Sequence, residues 1–196
     1  MNHRARLWLA LGRGWRLGAV LLVYGAGAVV LMAAPVELKL PQVFALTSVM
    51  APTTTLSALA VALAALTTAT EPAPQLMGTA SRRAPLVNLT RVWTAATVGC
   101  VLLLVVDPDA TAAVLAVLLL TGEGLVAISV VGLANYWVVP VAHVCAAITL
   151  GAVSRDEIAG WAWFLREDQG PLSVTASVAV AALGTIMWFR AAARTG

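Results

Sequence analysis

Charge is what this sequence has least of. Asp, Glu, Lys and Arg make up only 11% of its residues, against roughly 25% in an ordinary soluble domain. That scarcity excludes a water-soluble enzyme or binding module. The net charge of +3 rests on 12 basic residues, too thin a basic surface for nucleic-acid binding. Lysine occurs once, as Lys39 in VELKLP. It has neither the glycine-rich lead-in nor the following Ser or Thr of a phosphate-binding loop, so ATP chemistry by that route is excluded for this chain alone. Two histidines (His3, His143) and two cysteines (Cys100, Cys145) are present, none paired at metal-ligand spacing. No metal or other cofactor is expected. Both cysteines stand inside apolar runs, VGCVLLL and HVCAAIT, which makes them small buried hydrophobes and not a disulfide framework. Paired carboxylates and nucleophile–base arrangements are missing too, so no catalytic residues are expected.

What is abundant is apolar length. Hydrophobic residues reach 61% and the mean hydropathy is +0.92, values that exclude disorder and indicate a polytopic membrane protein. The expectation is an all-α, single transmembrane domain over 1–196 with six spans, at about 17–34, 43–70, 92–106, 110–134, 137–153 and 172–189. Helices follow because unpaired backbone groups are too costly in lipid. Pro52 interrupts the second span, Arg91 and Asp107-Pro108-Asp109 bound the short third, and Arg190 closes the sixth. The first run is longer than a signal-peptide core and lacks a good cleavage site, so it reads as a retained span.

Six spans put Arg4, Arg6, Arg13, Arg16, Arg82, Arg83, Arg91, Arg190 and Arg194 on one side, leaving Lys39, Arg155 and Arg166 on the other. By the positive-inside rule both termini are then cytoplasmic. The opening stretch repeats Leu7, Leu11 and Trp15 at helical spacing among arginines. It predicts an elbow helix over 4–16 lying on anionic lipid, or more plainly a topology signal. In the 71–91 connection, Glu71-Pro72-Ala73-Pro74 stops a helix, and Gln75–Ala84 can form a short surface helix carrying Arg82 and Arg83. Near the other membrane face, Ile158, Trp161 and Leu165 recur at i, i+3 and i+7 beside Trp163 and Phe164. That spacing predicts an aromatic helix dipping into the outer leaflet.

Two ionisable groups fall inside spans. Glu123, flanked by Gly122 and Gly124, lies about 16–20 Å from either end of a straight fourth helix. An acid at that depth needs a partner or water, and bare glycines let another helix or a substrate approach. His143 falls roughly 9 Å into the fifth span, which makes a Glu123–His143 pair possible. The plainer readings are a neutral, protonated Glu123 and a His143 bonded to a neighbouring carbonyl. The hydroxyls of the second span (Thr47, Ser48, Thr53–Thr55, Ser57, Thr67, Thr68, Thr70) fit either repair of the helix around Pro52 or a polar pathway, and repair is the expectation.

The passages TEPAPQLMGTASRRAP and WAWFLREDQGPLSVTASVAVAALGTIMWFR, set in this layout, resemble the membrane permeases of type-2 ABC exporters, particularly the short actinobacterial versions. The resemblance implies an elbow helix, six spans, a coupling helix between spans two and three, and a membrane-dipping segment between spans five and six. It implies a nucleotide-binding ATPase subunit as partner, docked near Glu71, Arg82 and Arg83, together with a second permease copy or homologue. The short third span and the very small turn between spans four and five depart from the family layout. Two other functions fit the same composition: a substrate-binding membrane component of an energy-coupled importer, and an accessory scaffold without transport.

Overall fold

The computed structural model describes residues 20, 23–24, 37–41, 48–69, 84–151, 158–166 and 169–195. The elbow stretch 4–16, most of span 17–34 and the 71–83 connection with Glu71, Arg82 and Arg83 lie outside them. Five helices and one hairpin organise the described chain. The hairpin pairs β1 (Glu37–Pro41) with antiparallel β2 (Ser48–Pro52), Lys39 opposite Met50. Then follow α1 (Thr53–Thr67), α2 (Ala84–Val106), α3 (Thr111–Val131), α4 (Val138–Leu150) and α5 (Pro171–Thr195).

Among the described residues, four stretches are long and apolar enough to cross a membrane: Leu86–Val106, Thr111–Val131, Leu133–Leu150 and Pro171–Ala191. The chain is therefore a multi-pass membrane protein. The all-α expectation holds for this bundle, but the span expected at 43–70 does not begin where the sequence suggested. Residues 48–52 form β2, and the helix starts only after Pro52. Proline has no N–H and fits before a first turn, while the strand's exposed backbone groups are met by its partner. The remaining α1 is 15 residues long, about 22 Å at 1.5 Å per residue, less than a bilayer core. Its hydroxyls turn back on their own backbone, Ser57 donating to the Thr53 carbonyl, Thr67 to Ala64 and Thr68 to Ala65, but with Pro52 outside the helix they repair no break around it.

Two other boundaries move outward. α2 starts at Ala84, eight residues before the expected start of the third span, with Pro85 in its first turn. It runs straight through Arg91, whose Nη1 donates to Asn88 Oδ1 at 3.3 Å. A long arginine stem two turns from a helix end can reach the interface, so the charge does not stop the helix. α5 likewise continues past Arg190 to Thr195. Elsewhere the expected breaks hold. After Val106 the Asp107 side chain accepts from the Asp109 amide, and its carbonyl from Ala110, a tight turn that Pro108 makes incompatible with helix. α3 ends at Gly132, whose φ of 97° suits glycine, followed by a 3-10 turn, Leu133–Asn135.

The core is the surface of α3. Over half of its spanning stretch is buried, against 28% or less in the other three. α5 lays a stripe of Ser173, Ser177, Ala181, Gly184 and Trp188 along it, spaced by three or four residues. At the crossing the backbones meet: a Cβ on Gly122 would stand 2.7 Å from the Ala181 nitrogen, and one on Gly184 would run into the Gly122 carbonyl. A Cβ on Gly124 would strike the Leu66 side chain of α1. Trp93 of α2 donates to Thr185 of α5 at 3.2 Å, and the Tyr24 hydroxyl donates to the Ala95 carbonyl at 2.6 Å. Cys100 is partly buried, whereas Cys145 is exposed on the outside of α4. The burial expected of Cys145 fails because its helix is covered on one face only.

Gly122→Ala should cost about 1–3 kcal/mol, the usual range for overpacking a close contact. Gly160→Ala, which meets nothing within 4 Å, should stay within about 0.5 kcal/mol of the parent. Denaturation of the two variants in detergent, followed by helical circular dichroism, measures the contrast.

Candidate functional site

Consecutive residues of a helix point about 100° apart, and at the middle of α3 three of them meet three different neighbours. Gly122 faces α5, Gly124 faces Leu66 of α1, and Glu123 reaches α4, where its Oε1 lies 2.5 Å from His143 Nδ1. The flanking glycines are thus explained by close helix packing. The Glu123–His143 pairing, which the sequence made possible, is realised. With Glu123 ionised, Nδ1–H donates to Oε1, a charge-assisted bond of the strong, short kind.

The aromatic segment 158–166 closes over the pair. It is not the regular helix the spacing predicted. Ile158 forms an isolated bridge and Gly160–Leu165 is a 3-10 turn. Ala162, Phe164 and Leu165 are buried, so Leu165 alone of the predicted Ile158–Trp161–Leu165 stripe is fully covered. Trp161 stacks on the His143 ring with centroids 6.1 Å apart and planes inclined by 30°, and Phe164 meets the same ring edge-on at 5.1 Å. His143 lies seven residues before the end of α4 at Leu150, about 10 Å down the helix. The turn therefore packs alongside α4 instead of resting at its end.

Non-helical backbone packed against a helix needs other protein groups to satisfy it. Here they do. The Ala159 amide donates to Gly151, the Ala162 amide to Ala159 and the Arg166 amide to Trp163. The Arg166 guanidinium donates to the Ile158 carbonyl, and Gln169 Nε2 to the carbonyls of Arg166 and Trp163. Through these donors Arg166 and Gln169 hold the turn in shape.

The pair is sheltered but not sealed, with 14% of the Glu123 side chain and 20% of His143 exposed, and Trp161 exposed by 45% at the rim. Glu123 Oε2 is buried and meets no hydrogen-bonding group among the described residues. The site can hold a proton between imidazole and carboxylate, and it can accept one further donor at Oε2. Among the described residues no three His, Cys, Asp or Glu side chains converge to hold a metal. Trp161 and Phe164 are the site residues that sequence reasoning missed. Their signal, an aromatic cluster, was visible, but nothing in the spacing tied it to a histidine 18 residues earlier.

Comparison with protein-family models, with known proteins and with solved structures returns no match.

Removing one member of a buried pair leaves the other's polar atoms unmatched, so His143→Ala should destabilise the protein by about 1–3 kcal/mol. The double variant Glu123→Gln/His143→Ala should lose less than the sum of the two single variants. A double-mutant cycle by detergent denaturation gives the coupling, and strict additivity would mean the bond contributes nothing.

Proposed function

We propose that the chain is the membrane-spanning permease subunit of an ABC transporter, exporting an amphipathic or hydrophobic compound at the expense of a separate ATPase subunit. The observation that carries this reading is the turn Gly160–Leu165, which lies between the last two spanning helices and packs on His143 part-way along α4. The resembled exporters have a membrane-dipping segment in that interval. A carboxylate–imidazole pair within the bundle adds weight, because ionisable groups inside a membrane domain are expensive and are retained where something must be bound or moved.

In this reading both termini and the 71–83 connection face the cytoplasm of the cell membrane. Glu71, Arg82 and Arg83 then meet the ATPase, the arginines pairing bidentately with its carboxylates. A second permease copy or homologue completes the pathway, and the exposed apolar faces of α2 and α5 meet lipid or that partner.

Affinity purification in mild detergent tests the docking. The chain should bring down an ATPase subunit, and Arg82→Glu with Arg83→Glu should reduce that recovery by roughly tenfold, as expected for charge reversal in a desolvated ion pair. Recovery of no ATPase with the parent chain, or equal recovery with the double variant, would overturn it.

A further inference from the structure

The Glu123–His143 pair is incompletely matched. If His143 is neutral, Nδ1–H satisfies Oε1 and the two residues together carry one negative charge. If His143 is protonated, the charge is balanced, yet Oε2 still meets no donor from the described residues. If Glu123 carries the proton on Oε2, a hydroxyl stands there with no acceptor. Every protonation state leaves the same atom in want of a partner, and an unmatched buried polar atom is costly.

The surroundings narrow the choice of partner. Among the described residues no basic side chain meets Oε2; Arg166, at the end of the turn, donates through Nη2 to the Ile158 carbonyl. α1 carries no ionisable group, and α3 and α4 contribute no base besides His143. Trp161 stacks on the His143 ring and Phe164 meets that ring edge-on, and aromatic faces attract cations, tryptophan best of all. Trp161, stacked on His143, is 45% exposed. A buried acceptor oxygen, a net charge of zero or minus one, and an aromatic rim together describe a receptor for a protonated amine with an apolar body.

We infer that Glu123, His143, Trp161 and Phe164 form a binding site for a hydrophobic organic amine, whose ammonium N–H donates to Glu123 Oε2 while its apolar part lies against Trp161. As the class of transported compound, this rests on the permease reading. As a binding site, it requires no ATPase.

The full chain, reconstituted in lipid nanodiscs, is titrated with naphthylethylamine and with ethylnaphthalene, which has the same body without the amine. The amine should bind with roughly tenfold or greater preference, the value of a hydrogen bond to a charged group. Glu123→Gln should abolish that preference while leaving the weak affinity for the hydrocarbon. Trp161→Ala should weaken amine binding about threefold or more, and Trp161→Phe should restore part of it. Trp161 stands at the rim, so its variants report on the site even if Glu123→Gln fails to fold. Equal binding of amine and hydrocarbon to the parent chain would overturn the site, as would amine binding unchanged in both Glu123→Gln and Trp161→Ala. A chain that binds the amine but recovers no ATPase would keep the site and lose the permease assignment.

Discussion

The structure depends on how closely α3 and α5 approach. Two helices packed through ordinary side chains keep their axes 8–10 Å apart, whereas here Gly122 and Gly184 bring backbone against backbone. In lipid there is little hydrophobic gain in pressing one apolar helix on another, so van der Waals contact between small residues does the work. Ser173, Ser177 and Ala181 continue the same narrow stripe. Gly124 repeats the device toward α1. Once α3 is clamped on those two sides, the side chain between the glycines has one direction left, and it is the direction of α4.

That geometry accounts for an acid in the middle of an apolar helix. Glu123 is neither lipid-facing nor buried among apolar side chains alone, because its neighbours on the helix have surrendered their side chains to packing and its own reaches an imidazole. The carboxylate fixes one ring nitrogen, and the rings of Trp161 and Phe164 fix its plane from two sides. The turn that delivers those aromatics is kept in place by Arg166 and Gln169. The polar residues near this end of the bundle thus divide into those that hold backbone and those that form the site. Buried pairs of this kind add little net stability once desolvation is counted, and that favours a role in recognition over one in holding the fold.

Where the reading of residues succeeded and where it missed follow one physical line. The break read from turn chemistry, Asp107-Pro108-Asp109 before α3, was placed within a few residues. Boundaries inferred from a charge alone were misplaced, because Arg91 and Arg190 carry stems long enough to leave the helix intact. Pro52 was read as a kink inside a span and is instead the junction of strand and helix. An apolar run does not announce whether its backbone will be paired within a helix or across a hairpin.

The amino-acid sequence by itself determined the membrane class, the apolar spans around α2 to α5 and the depth of Glu123, since these follow from hydropathy, length and a fixed rise per residue. Only the tertiary structure decided which neighbour each residue of Gly122-Glu123-Gly124 meets, that 158–166 folds back as a 3-10 turn, and that Trp161 and Phe164 enclose His143. Those outcomes hang on the rotation of one helix about its axis relative to the next. Contacts between distant segments set that rotation, and no local pattern encodes it.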